Sequence, residues 1–267
     1  MGIRHVALAV IVCGGLLAGP VLATTDYTNG WIYGAVVGAP CWGEQAPGGL
    51  STITSGGTSE GNVCTGIYKV LINTTAPYDY SGTQANAVIS YLASHPALNG
   101  RLNTFCCDVH QNADSGYTKY AFYAPANAPI GGDNTAMGAT KALDLRRLVE
   151  LHWTAATSGD NQAAWEFQAS VWEIVNETSS SYDLTQGYFK VSGNSTWVTE
   201  ANGWLNGLSS DLTPTVPVWV LASESAQDYA IWFPGLGGSM IPEPLTMAGL
   251  MMGIGGLAGY VRRRRAA

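Results

Sequence analysis

Basic residues are scarce in this sequence. Its 267 residues include 12 Lys and Arg against 19 Asp and Glu, and charged residues make up only 12% of the chain. Five of the 12 bases stand at the ends, at Arg4 and at Arg262, Arg263, Arg264 and Arg265. Seven therefore remain between residues 24 and 240, where only Glu243 is lost from the acidic count, leaving 18 and a net charge of −11. A body this acidic excludes nucleic acid and anionic lipid as partners, because both need a basic face. Histidine is scarcer still, with 4 in all and none in a metal-ligand spacing, so no zinc site, other metal or cofactor is expected. Also missing are a phosphate loop, a nucleophile-elbow serine, a calcium loop, an internal repeat and a long linker. Glycine, serine, threonine, asparagine and aromatics are plentiful instead, a mix that suits a secreted, turn-rich β domain.

The two ends read as address labels. Arg4 and His5 precede an apolar and glycine run from Val6 to Ala18, Gly19-Pro20 breaks it, and Val21-Leu22-Ala23 supplies a small-residue cleavage pattern. Residues 1–23 are thus expected to be a signal peptide removed by signal peptidase. Val12, the residue before Cys13, is too large for a lipoprotein site. At the other end Pro242, Glu243 and Pro244 form a stiff, extended element, since proline fixes its own φ and restrains its predecessor. Leu245 to Val261 then runs without a charge, close to the lower length limit for a bilayer span, and ends on the four arginines. That order resembles the PEP-CTERM sorting signal of Gram-negative bacteria. The resemblance implies that residues 241–267 anchor a precursor transiently in the inner membrane through a C-terminal apolar helix. It also implies a sorting protease, exosortase, as processing partner, and the cell surface or extracellular matrix as destination.

Residues 24–240 should form one α+β domain, a mainly antiparallel β body with two or three packed helices. Strands are expected at Gly30–Val37, Gly66–Thr74, Leu102–His110, Tyr117–Tyr123, Gly187–Ser192, Val216–Ala222 and Tyr229–Phe233. Between the first two, the glycine-rich stretch from Gly48 to Gly61 reads as a flexible loop. Apolar residues at helical spacing mark Thr83–Ala93, Thr140–Trp153 and Asn161–Asn176. Four cysteines remain after processing, Cys41, Cys64, Cys106 and Cys107. They allow three pairings that sequence does not rank, with Cys41 and Cys64 one candidate disulfide.

The third helix carries an anomaly. Ala164, Gln168, Val171 and Val175 share one face, so an amide stands in an apolar row and must find partners in the core. The stretch Phe167-Gln168-Ala169-Ser170-Val171-Trp172 resembles the Thr-Gln-x-Ala-Ile-Trp motif of bacterial thioester domains. Phe105-Cys106-Cys107-Asp108 resembles their cysteine motif. Phe167, Ser170 and Cys107 depart from the family pattern. The resemblance, over about Thr104 to Glu177, implies an internal thioester between the Cys106 sulfur and the Gln168 acyl carbon. Such a bond needs apolar walls that keep water from the acyl carbon, and Trp165, Phe167 and Trp172 are the candidates to supply them.

Weaker signals are a Cys106–His110 pair four apart on a strand, His152 on a helix face, three Asn-x-Ser/Thr sequons and nine tryptophans, some of which could form a glycan platform. The expected function is attachment of an exported envelope or matrix protein to an unknown surface, glycan or protein target, without enzymatic turnover. A structural matrix protein with an inert Cys-Gln pair stands next, and a cysteine hydrolase using Cys106 and His110 a distant third.

Overall fold

The computed structural model describes residues 29–130, 135–234 and 236. The proposed signal peptide at 1–23 and the sorting tail at 241–267, with its apolar helix, lie outside the described residues. Among the described residues no helix is long and apolar enough to cross a membrane.

The body is mainly antiparallel β, and its centre is a closed six-stranded barrel. Strand β1 (Trp31–Ala39), rich in aromatic and β-branched residues, carries the two-residue β2 (Trp42–Gly43) at one end. The chain then leaves the barrel for β3 (Gly48–Ser55) and β4 (Thr58–Gly66). It returns as β5 (Tyr68–Asn73), crosses α1 (Thr83–Ser94), and lays down β6 (Arg101–Cys106) and β7 (Thr118–Tyr123). A small hairpin of β8 (Pro129–Ile130) and β9 (Thr135–Ala136) precedes two helices, α2 (Ala139–Ala156) and α3 (Asn161–Asn176). After β10 (Phe189–Ser192) and α4 (Ser195–Asn206), the strands β11 (Trp219–Ala222) and β12 (Tyr229–Ile231) complete the barrel. Its order is β1-β5-β6-β12-β11-β7, and β7 pairs back onto β1 with Trp31 opposite Ala121. Closure removes the exposed strand edges that an open sheet would present. Tyr68, Tyr120 and Tyr229 come from strands that are not neighbours and still meet, with ring centroids 5.6 and 6.0 Å apart, which is geometrically open to them only across the barrel interior.

A second sheet, β10-β3-β4, lies apart from the barrel, and α3 runs between the two, flanked by α2 and α4. Every residue of α3 from Ala164 to Val175 is buried. The sequence pattern predicts one apolar face; the structure buries all faces, because sheet, barrel and two helices surround this element. That is why its polar residues, Glu166, Gln168, Ser170 and Glu173, must all be satisfied from inside the protein.

Three expectations need correction. The stretch 48–61 is no flexible loop but part of the β3–β4 hairpin, closed by Gly56 and Gly57 at φ +57° and +86°. Two positive-φ residues between strands make the favoured tight hairpin turn. Among the described residues four α-helices pack on the body, not two or three. The unexpected one, α4, is capped by the Asn194 side chain accepting from the Thr196 N–H at 3.0 Å, so this Asn-Ser-Thr triplet is a helix start. Finally, β6 ends at Cys106, so Cys106 and His110 do not share a strand.

Candidate functional site

The site begins where β5 runs out. Strand β5 starts at Tyr68, opposite Thr104, so nothing in β5 faces Cys106 two residues further along β6. A backbone amide and carbonyl at a buried strand end need partners. Gln168, projecting from the centre of α3, supplies both. The Cys106 N–H donates to Gln168 Oε1 at 2.8 Å, and Gln168 Nε2 donates to the Cys106 carbonyl at 2.8 Å. The carboxamide thus continues the ladder as a peptide group would, and both residues are fully buried.

On its other side Cys106 lies opposite Tyr229 of β12. Its thiol donates to the carbonyl oxygen of Asp108 at 2.8 Å, and that oxygen also accepts from Gln227 Nε2 at 3.0 Å. Tyr229 donates from its hydroxyl to Gln227 Oε1 at 3.2 Å, which extends the network into the barrel. The Asp108 carboxylate, itself buried, accepts the His110 N–H at 2.7 Å. Cys107, also fully buried, donates its backbone N–H to the Asp228 carbonyl at 2.8 Å.

Electrostatics disfavour charge here. Burial pushes the Cys106 thiol well above its usual range, and the charges of Asp108 and Cys107 add to this. Two groups pull the other way, the Trp172 indole and the Asp108 backbone. Trp172 lies close enough to favour the thiolate, yet its buried Nε1–H completes no hydrogen bond of normal geometry. An unmade bond of that kind costs about 1–3 kcal/mol. Burial likewise raises Cys107, Asp108 and Asp228.

Aromatic walls close the site. Phe105 packs tilted 4.4 Å from Phe167 and edge-on 5.4 Å from Trp153, whose ring in turn meets Trp232 at 5.8 Å. Trp172 meets Phe189 of β10 at 6.4 Å, while Trp165 packs on Trp197 of α4 at 5.8 Å. Outward of Asp108 and Gln227 lies a shallow cleft of about 450 Å³, lined by His110, Gln111, Asn112, Ala113, Asp114, Glu224 and Ser225.

Of the residues singled out in the sequence, the structure brings Cys106 and Gln168 together and joins Cys41 to Cys64 in a disulfide. His110 is exposed at the cleft, so it makes no nucleophile pair with the buried Cys106. His152 stacks flat on Trp204 at 4.1 Å as a packing residue. Pro242, Glu243, Pro244 and the four terminal arginines lie outside the described residues. Among the described residues no group of three or more His, Cys, Asp or Glu could hold a metal ion. Sequence reasoning missed Gln227 and the buried acids Glu166, Glu173 and Asp228. Glu166 and Glu173 were legible only once α3 is known to be buried on every side.

No protein-family model matches the chain, and no curated protein matches it. Among solved structures, the chain is similar to the N-terminal thioester domain of a surface protein from Clostridium perfringens. That likeness has a TM-score of 0.31 at 12% identity, covering 49% of this chain and 79% of that one.

Proposed function

We propose that this protein is exported to the cell surface or extracellular matrix and attaches there through an internal thioester between Cys106 and Gln168. The observation behind this reading is the reciprocal pairing of the Gln168 carboxamide with Cys106. It holds the acyl carbon on the very residue that carries the sulfur, inside aromatic walls that exclude water. The Cys106 N–H at 2.8 Å from Oε1 is at the right distance to stabilise negative charge on that oxygen. Sulfur adds to the Gln168 carbonyl carbon, the carbon–nitrogen bond breaks, and the thiol proton leaves with nitrogen as ammonia. A later amine or hydroxyl on a target opens the thioester, leaving the target acylated and Cys106 a thiol again. One linkage per molecule is attachment, not turnover. Export, exosortase processing and a matrix or surface destination rest on the two labelled ends of the sequence.

A second reading has its own support. The Gln168 amide already uses both its oxygen and its nitrogen on the strand, and both partners are fully buried, an arrangement that also suits an inert lock in a structural matrix protein. Intact mass of the secreted protein separates the two. A thioester appears as the loss of one ammonia, restored as an adduct by methylamine and absent in Cys106→Ala. If only the disulfide hydrogens are missing, the attachment chemistry is wrong and the inert lock stands.

A further inference from the structure

Trp172 stands one helical turn beyond Gln168, so the two side chains leave α3 on the same side. Gln168 grips the backbone of Cys106, so Trp172, one turn further along the same face, lies on the Cys106 side of the helix. The indole is fully buried and its Nε1–H has no hydrogen-bond partner. An orphaned donor in the middle of a packed core, beside a reactive sulfur, calls for an explanation that packing alone does not give.

The surroundings of the sulfur sharpen the point. In the thiol form, Sγ gives its proton to the Asp108 carbonyl oxygen at 2.8 Å. A carbonyl oxygen accepts from a thiol but repels a thiolate. The buried acid Asp108 and the neighbouring thiol of Cys107 also oppose negative charge at this position. The Asp108 backbone helps a little, and Trp172 is the one side chain that favours an anionic sulfur.

We infer that Trp172 is a catalytic residue of the Cys106–Gln168 site, donating its indole N–H to the Cys106 sulfur as that atom leaves the acyl carbon. The inference rests on the thioester reading. When an amine adds to the Gln168 acyl carbon, a carbon–nitrogen bond forms and the carbon–sulfur bond breaks. Sulfur departs with the electron pair, and the proton lost by the amine ends on sulfur, giving an amide and a thiol. Negative charge on sulfur peaks as the carbon–sulfur bond breaks, and a fixed donor already in place needs no rearrangement to meet it. The same donor assists the forward closure, in which sulfur must become nucleophilic within an apolar site.

Trp204 provides the control. It lies on α4, its ring stacks on His152 at 4.1 Å, and it takes no part in the Cys106–Gln168 site. Full-length secreted protein is prepared as wild type, Trp172→Phe and Trp204→Phe. Intact mass reads thioester content, and the rate of methylamine adduct formation reads the opening step. Trp172→Phe is expected to slow methylamine opening on the order of tenfold, a loss typical of one donor at a charged transition state. The thiol released by opening should also titrate at higher pH in Trp172→Phe than in wild type. Trp204→Phe should match wild type in both measurements. Equal rates in wild type and Trp172→Phe, or equal slowing in both tryptophan variants, overturns the role of the indole and leaves the thioester standing. A wild-type mass with no ammonia missing overturns the thioester reading and the inference together.

Discussion

Glu173 occupies the middle of α3 with one carboxyl oxygen taking the Asp183 N–H at 2.7 Å and the other buried without a partner. Burial raises its pKa from the ordinary 4.5 to about 8. Below 4.5 folded and unfolded chains both hold the proton, and the contribution to stability is complete. As pH climbs from 4.5 towards 8, the unfolded chain gives the proton up while the folded one keeps it, so stability falls. The slope reaches about 1.4 kcal/mol per pH unit for one proton. Glu166, raised to about 7 by burial and by the nearby carboxylates of Glu200 and Asp160 despite the donation from Gln162, adds a second component with the same sign. Glu173→Gln should flatten the upper part of this dependence, read as unfolding midpoints in urea between pH 5 and 9. An unchanged slope would mean that Glu173 is ionised in the fold. Residue by residue, the sequence was legible where one polar group interrupted an apolar row, as at Gln168. It was silent at Glu173, because charged residues opposite that row read as a solvated face until something is known to cover it.

At the level of elements, the turn that follows α3 depends on one carboxylate. Glu177 takes the N–H groups of Thr178 and Ser179 on Oε1 at 2.7 and 2.8 Å, and those of Tyr188 and Phe189 on Oε2 at 2.8 and 3.2 Å. It therefore clamps the C-terminal end of α3 to the start of β10. Burial alone would raise its pKa, but these four donors outweigh burial and hold it below the ordinary value. The sign is opposite to that of Glu173: the stabilisation is present above the ordinary pKa and disappears as pH falls through the depressed one. Gly187 makes room for the clamp, since a Cβ there would collide with Glu177 Oε2, and its φ of +91° already favours glycine. Glu177→Ala should lower stability by on the order of 3 kcal/mol, having orphaned several backbone donors at once, and Gly187→Ala should do comparable damage. Thermal unfolding of both variants tests this, and a shift below a degree or two would show the clamp to be idle. Helices with a clear apolar period, α1, α2 and α3, were legible to within a few residues. The hairpin of β3 and β4 was not, because its glycines and small polar residues read as loop. Its burial comes from α3, which is distant in the chain.

For the whole molecule, the mainly antiparallel body could be read from composition and pattern. Closure of the barrel could not, since β1 meets β7 with Trp31 opposite Ala121 and no local signal reports so distant a pairing. The same distance problem governs how the two sheets stay together. Cys41 follows β1 of the barrel and Cys64 lies in β4 of the separate sheet, so their disulfide is a covalent tie between the two layers that enclose α3. The chain between them spans a sequence separation of 23, and cross-linking a loop of that size removes unfolded-state entropy worth about 3 kcal/mol. Replacing both cysteines by serine should therefore lower the unfolding free energy by about that amount. It should do so without changing the Cys106–Gln168 pairing, which is built from β6 and α3 alone. Urea unfolding followed in parallel by tryptophan fluorescence and far-ultraviolet circular dichroism measures the first, and intact mass the second. If the tie also makes the two layers unfold as one, the probes coincide in wild type and separate in the double variant, with the signal of the three-stranded sheet lost first. Coincident curves with an unmoved midpoint would show that α3 alone holds the layers together, through the faces it buries against each of them.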